Sequence, residues 1–185
     1  MRETIKLGLT LCVVGSIAAA VLGISNEITS PVIKQTEIRK NTEARQSVLA
    51  AAKEFDEVEV NNVEGIIEVF KGTNGGEEVG YTIKVEIGGF SGPVEILVGI
   101  DKTGLVTGMK VLSNSETPGL GKNAEKPEFQ ASFSGKNSKD KVEVSKTKPE
   151  KDNQVQAMTG ATITTQAVAD GVNLALDYFE TALVQ

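Results

Sequence analysis

Residues Met158-Thr159-Gly160-Ala161-Thr162-Ile163-Thr164-Thr165 place small and hydroxyl-bearing side chains where a predicted strand, residues 154–158, passes into a predicted helix. Backbone N–H groups in the first turn of a helix lack intrahelical partners, and the positive end of the helix dipole lies there. Such a turn suits a phosphate group. Threonines such as Thr162 or Thr164 also cap helices in many proteins, so the pattern alone leaves both interpretations open.

A second candidate segment, Ser115-Glu116-Thr117-Pro118-Gly119-Leu120-Gly121, follows a strand predicted over residues 105–112. Its proline and two glycines favour an unusual backbone path that lets the main chain approach a flat ligand closely. Glu116 and Thr117 offer side-chain hydrogen bonds. The segment fits neither the dinucleotide fingerprint nor the P-loop pattern, and an ordinary surface loop is the alternative interpretation.

The composition excludes several kinds of chemistry. The chain contains no histidine, which removes the usual near-neutral general base and the commonest metal ligand. Its single cysteine, Cys12, lies in the most apolar segment and forms no internal disulfide, zinc site or iron–sulfur cluster. We expect no metal site, and any redox chemistry must come from a bound organic cofactor.

The charge distribution argues against a nucleic-acid partner. The net charge is −6 over 185 residues, and because residues 1–26 carry +1, the remainder carries −7. Phosphate backbones require a basic face, which this acidic remainder does not supply.

Residues 7–26 carry no charged side chain. Twenty helical residues span about 30 Å, the thickness of the hydrocarbon core of a bilayer. A cleavable signal peptide is the alternative, but the apolar run continues through residues 21–24, beyond the Ala18-Ala19-Ala20 triplet that resembles a cleavage site. We therefore predict a retained membrane anchor over residues 1–30. Arg2 and Lys6 before the span predict a cytoplasmic N-terminus and an extracytoplasmic remainder.

The rest of the chain predicts an α+β domain. Residues 32–54 have helical periodicity, so residues 31–56 are interpreted as a connecting helix, either packed on its own domain or docked on a neighbouring subunit. Closely spaced strands within residues 57–112, joined by turns such as Thr73-Asn74-Gly75-Gly76, predict an antiparallel meander. Residues 135–153 predict an exposed excursion. A final helix, residues 165–184, closes the 57–185 domain through an apolar stripe formed by Val168, Val172, Ala175, Phe179 and Leu183.

In this order, after one transmembrane helix, the segments resemble the flavin-mononucleotide-binding domain of the G subunit of the Rnf electron transport complex, and the related C subunit of the sodium-pumping NADH:quinone reductase. The resemblance covers nearly the whole chain and includes the turn Gly88–Pro93. It implies that FMN is bound covalently, through a phosphoester, to Thr162 of the Thr-Gly-Ala-Thr-x-Thr motif. Gln156 departs from the family, which commonly has Asp at that place. The other cofactor-binding residues implied by the resemblance are Thr159, Gly160, Ala161, Thr164, Thr165, Glu116, Thr117, Pro118, Gly119, Leu120 and Gly121.

The resemblance further implies an electron-transfer subunit of an ion-translocating ferredoxin:NAD⁺ oxidoreductase in the cell membrane, a redox subunit that is not catalytic alone. Its expected partners are the other membrane and peripheral subunits, membrane lipid, and a flavin transferase that delivers FMN from FAD. Three alternatives remain at this point: the C subunit of the sodium-translocating quinone reductase, a membrane-anchored scaffold without cofactor, and a free-standing extracytoplasmic flavin reductase.

Overall fold

A computed structural model describes residues 2–60 and 63–184, and it begins with one long helix. Helix α1 runs from Arg2 to Val48. Within the described chain, Ile5–Ser30, with a mean hydropathy of 2.3, is the stretch long and apolar enough to cross a membrane. The chain divides into two compact units, Met1–Thr42 and Glu43–Gln185. Because α1 runs without a break from Arg2 to Val48, the helix predicted to begin after Pro31 is a continuation of α1. It ends at Val48 instead of residue 54.

The second unit is built on a five-stranded antiparallel sheet, as the strand pattern predicts. Each strand lies beside its neighbours in the chain, so the sheet is a meander. The β2–β3 hairpin turns through Gly75 and Gly76, at φ angles of 64° and 85° that glycine adopts without a steric penalty. The strands are β1 Glu54–Val58, β2 Ile66–Asn74, β3 Glu77–Gly88, β4 Pro93–Asp101 and β5 Val106–Asn114.

The end of α1 packs on one face of this sheet. Gly72, Gly99 and Gly108, which we call the glycine seat, lie under the last turn of the helix and the residues that follow it. A Cβ atom at Gly72 would lie 2.6 Å from the side chain of Leu49, and one at Gly108 would lie 3.1 Å from the Cα atom of Val48. The chain leaves the helix here because Leu49 turns inward to become fully buried.

Arg45, in the last turn of α1, ties the helix to β2. Its guanidinium lies 3.6 Å from the centre of the Phe70 ring, and Nη2 donates to Oε1 of Glu68 at 2.9 Å. The Arg45 side chain is almost completely buried, so its charge needs both partners.

Helix α3, Thr162–Tyr178, covers the opposite face of the sheet and continues into a π-helical turn, Phe179–Leu183. It begins three residues earlier than predicted. The predicted apolar stripe is confirmed for the four residues that are buried in the core, Val168, Val172, Ala175 and Phe179. The fifth, Leu183, is partly buried and packs against that core. The four buried residues pack with strand residues that alternate towards the same face, including Ile83, Val85, Ile96 and Val98.

Short elements connect β5 to α3. A 3₁₀ helix, Gly121–Glu125, is followed by helix α2, Pro127–Ala131. Strand β6, Glu143–Ser145, then pairs in parallel with β7, Gln154–Gln156. The predicted excursion over residues 135–153 is largely exposed, but it also contains β6, which the sequence analysis did not predict. The predicted α+β class, an apolar helix followed by an antiparallel sheet and a closing helix, is confirmed.

Candidate functional site

Three turns meet at one end of the sheet and enclose a cleft. They are the β3–β4 turn, the loop that follows β5, and the turn that leads into α3. The cleft has a volume of about 330 Å³, at the lower end of the range for small-ligand sites. Its lining comprises Phe90, Glu116, Thr117, Leu120, Gly121, Gly160, Ala161, Thr162, Ile163 and Thr164.

The N-terminus of α3 faces this cleft with unpaired donors. Gly160, at a φ of 75°, turns the chain into the helix, and Ala161 is the N-cap residue. Alanine has no side-chain oxygen, so no side chain caps the first turn. Within the described chain, no protein acceptor is found for the N–H groups of residues 162–164. The helix end therefore offers several donors and a positive dipole to an anion.

The threonines of the motif have different environments. Thr162 is exposed and lines the cleft. Thr164 is 1 % exposed, and its hydroxyl donates to Oε2 of Glu116 at 3.0 Å. Thr165 is completely buried; its hydroxyl donates to the carbonyl of Ala161 at 2.9 Å and accepts from the N–H of Met158 at 3.0 Å. Thr162 is thus the cleft-lining threonine of α3 whose hydroxyl is accessible and has no hydrogen bond to the described protein.

Glu116 connects all three turns. It is 5 % exposed, and its Oε1 accepts from the N–H groups of Phe90 at 2.7 Å and Ser91 at 3.1 Å, while Oε2 accepts from Thr164. Its own N–H donates to Oδ1 of Asn114 at 3.0 Å. The sequence suggested that Glu116 offers hydrogen bonds to a ligand. In the structure both carboxylate oxygens accept hydrogen bonds from the protein, and the side chain also lines the cleft.

Glycine makes this arrangement possible at two positions. A Cβ atom at Gly89 would lie 2.5 Å from Oε1 of Glu116. A Cβ atom at Gly121 would collide with Oε2 of Glu116 and lie 2.7 Å from Oγ1 of Thr164. The three turns therefore close around the carboxylate only because these two positions lack side chains.

Four of the residues named from the sequence do not line the cleft. Pro118 and Gly119 form the outer bend of the loop, where Gly119 has a φ of 81° and its carbonyl accepts from Asn123. Thr159 is exposed before the turn, and Thr165 is directed into the core. These four shape the backbone of the two turns. The other eight come together in the cleft: Glu116, Thr117, Leu120, Gly121, Gly160, Ala161, Thr162 and Thr164.

Phe90 and Ile163 line the cleft but were not identified as site residues. They are 68 % and 57 % exposed, respectively, and with Leu120 they give the cleft an apolar border. For Phe90 there was a usable signal, since it is a lone aromatic residue in a glycine-rich turn. For Ile163 the motif indicated the hydroxyl residues and gave no reason to single out its apolar neighbour.

A larger groove, about 660 Å³, lies between α2 and the excursion and shares no residue with the cleft. Its lining is mixed in charge. Burial lowers the pKa of Lys136, an effect that Asp152 opposes, and the Lys136 ammonium donates to the carbonyl of Asp152. The residues that line this groove include none of those described for the two motifs.

Similarity to known proteins defines the class of protein to which this chain belongs. Residues 89–177, which include all three turns, match the family described as the FMN-binding domain. The chain is 38 % identical to the G subunit of the Na⁺-translocating ferredoxin:NAD⁺ oxidoreductase complex of Acetobacterium woodii, over 97 % of this chain and 93 % of that protein. It is 35 % identical to the proton-translocating counterpart of Clostridium ljungdahlii, over 96 % and 90 % respectively. The chain belongs to the family of G subunits of ion-translocating ferredoxin:NAD⁺ oxidoreductase complexes.

A solved structure supports the fold. The C subunit of the Na⁺-translocating NADH-quinone reductase of Parabacteroides distasonis superimposes with a TM-score of 0.58 over 72 % of this chain and 79 % of that one. At 24 % sequence identity, this similarity extends to the fold alone.

Proposed function

We propose that this protein is the electron-transfer G subunit of an ion-translocating ferredoxin:NAD⁺ oxidoreductase complex, and that it carries FMN joined to Thr162 by a phosphoester. The observation that carries this proposal is the uncapped N-terminus of α3 beside the exposed Thr162 hydroxyl. The family and the named relatives supply the chemical class of the cofactor and the complex.

The cleft suits an amphipathic flavin nucleotide. Free N–H groups at the start of α3 fit a phosphate, and the apolar border of Phe90, Leu120 and Ile163 fits a flat aromatic ring. Bound flavin supplies the redox chemistry, while the chain binds it, orients it and controls its exposure to water. Among the residues that the structure describes, no lysine or arginine lines the cleft, so the N-terminal end of α3 supplies positive potential for the phosphate.

The exposed position of Thr162 supports it as the attachment point. In the attachment step, the Thr162 oxygen forms a bond to the phosphorus of the FMN half of FAD. The pyrophosphate bond breaks, AMP departs, and the hydroxyl proton passes to solvent. A separate flavin transferase catalyses this step. Hydrogen bonding and burial remove Thr164 and Thr165 from competition.

The membrane arrangement is also part of the proposal. Residues 1–30 anchor the chain with the N-terminus in the cytoplasm, the remainder of α1 connects the anchor to the sheet domain, and that domain, whose strands begin at Glu54, is extracytoplasmic. Membrane lipid and the other subunits of the translocase surround the anchor.

Intact-protein mass spectrometry after coexpression with a flavin transferase tests the attachment. The wild type gains the mass of one FMN group, and Thr162→Ala gains none. Thr162→Ser retains the hydroxyl and serves as the matched control for side-chain loss, and Thr159→Ala controls for a change elsewhere in the motif. A wild-type chain that stays unmodified under these conditions, while a known substrate of the transferase is modified, refutes the proposal.

A further inference from the structure

Glu116 is a buried carboxylate beside the proposed flavin site, and within the described part of the chain its charge has no cationic partner. Lysine and arginine residues form ion pairs with other acids of the described chain, but none with Glu116. Of the described side chains that line the cleft, Glu116 alone is ionisable. A buried charge of this kind is costly unless hydrogen bonds compensate it.

Three donors supply that compensation. The N–H groups of Phe90 and Ser91 and the hydroxyl of Thr164 all point at the carboxylate, at 2.7, 3.1 and 3.0 Å. The positive end of α3 offsets part of the charge as well. Because these groups are neutral, they stabilise the carboxylate locally but leave its net charge of −1 in place.

Glu116 therefore has two consequences for the cleft. Its hydrogen bonds fix the β3–β4 turn, the loop after β5 and the start of α3 relative to one another. Its charge also lies in the wall of a cleft that is partly closed to water, where electrostatic interactions act over longer distances than in bulk solvent.

We propose, on the basis of the proposed function, that Glu116 is the positioning residue of the flavin cleft and that its fixed negative charge lowers the redox potential of the flavin on Thr162. Uptake of two electrons and one proton would give bound flavin one additional negative charge. A carboxylate in the wall of the cleft disfavours that gain. Glu116 would thereby make the bound, reduced flavin a stronger electron donor to the next carrier.

The decisive variant is Glu116→Gln, which keeps the shape of the side chain and removes its charge. The amide oxygen continues to accept from Phe90 and Ser91, and the amide nitrogen donates to the hydroxyl of Thr164. A unit charge acting through ~10 Å at an effective dielectric constant of ~20 changes the equilibrium constant of reduction by about tenfold. For a two-electron couple this corresponds to an increase of about 30 mV.

Potentials are measured on the intact chain by spectroscopic titration with dithionite and mediator dyes, using only the flavinylated fraction. Glu125→Gln is the matched control, because Glu125 lies in the adjacent 3₁₀ helix and does not line the cleft. The inference expects a higher potential in Glu116→Gln and an unchanged one in Glu125→Gln. An unshifted Glu116→Gln, or an equal increase in both variants, overturns it.

A second variant has the opposite expected sign. Thr164→Val removes one donor from the carboxylate with little change of volume, so the charge is less compensated and the potential falls. If Glu116→Gln folds poorly, Thr164→Val still tests the inference. A flavin redox potential in Thr164→Val that equals or exceeds that of the wild type overturns it. Wild-type protein without attached flavin refutes the proposed function, whereas flavinylated wild type with an unshifted variant refutes the role of Glu116 alone.

Discussion

The glycine seat provides a sharp test of how the sheet holds the end of α1. Gly99 lies near the end of β4, and a Cβ atom built there would lie 2.7 Å from the carbonyl carbon of Val48 and 2.8 Å from Oγ1 of Thr107. The obstructing groups are backbone and a hydroxyl that itself donates to the Val48 carbonyl, so neither moves aside at low cost. Gly99→Ala must therefore lift the helix end away from the sheet.

The expected magnitude follows from two opposing effects. Overpacking a tight interior costs about 1–3 kcal/mol. Replacing glycine by alanine at a backbone angle that alanine tolerates stabilises by about 0.4–1 kcal/mol, through the unfolded state. Gly99 does not have a positive φ, so both effects apply and Gly99→Ala should destabilise by roughly 1–2 kcal/mol.

Gly88→Ala is the matched control. Gly88 ends β3, has no positive φ, and a Cβ atom there meets no atom within 4 Å. This variant should be as stable as the wild type or slightly more stable. The two variants then differ by about 2 kcal/mol, or roughly 6 °C in melting temperature for a domain of this size.

Near-ultraviolet circular dichroism of the intact chain in detergent is a suitable assay. The chain has no tryptophan, and its two tyrosines, Tyr81 and Tyr178, are both buried in the sheet domain. The signal thus reports the folded domain and is insensitive to the apolar part of α1. A Gly99→Ala variant that melts at or above the temperature of Gly88→Ala refutes the packing described for the seat.

Two further predictions concern charged residues. Arg45→Ala should lower the stability of the domain by about 2 kcal/mol, because it removes the contact with Phe70 and leaves Glu68 without its partner. Chemical denaturation should show a smaller loss of stability when the same substitution is made in a Glu68→Gln background. An equal loss in that background would exclude coupling between the two side chains. Asp101 should make stability depend on pH: burial acts to raise its pKa, but hydrogen bonds from Thr103 and Leu105 outweigh burial and lower the pKa below its usual value. Because the pKa is lowered in the folded state, the stabilisation by Asp101 is complete above about pH 4 and is lost as the pH falls through the folded-state pKa. Asp101→Asn should therefore reduce the free energy of unfolding by roughly 1 kcal/mol at neutral pH and by progressively less in acid. A pH-independent difference between wild type and Asp101→Asn in denaturation curves would contradict this reasoning.

The sheet and the closing helix were predictable because their signals are local. Alternation over residues 81–87 and 94–100 identifies strands, and the Asn74-Gly75-Gly76 turn identifies a hairpin. The stripe from Val168 to Phe179 identifies the buried face of α3. Each of these patterns depends on residues close together in the chain, and the structure confirms them.

The end of α1 and the role of Glu116 depend on distant residues, so local patterns did not reveal them. Alanines 50–52 favour helix by propensity, but burial of Leu49 against Gly72 ends α1 earlier. The partners of Glu116 lie 25, 26 and 48 positions away, so no local pattern indicated that its carboxylate joins the three turns.

The order of the strands has a consequence for synthesis. The meander pairs each strand with the one made just before it, so the sheet can assemble progressively as the chain emerges. Its apolar face, formed by residues such as Ile83 and Ile96, is covered by α3, which is made after all five strands. A nascent or truncated chain that lacks residues 162–183 therefore presents that face uncovered, which makes it a target for chaperones or proteases and prone to aggregation until α3 has been made.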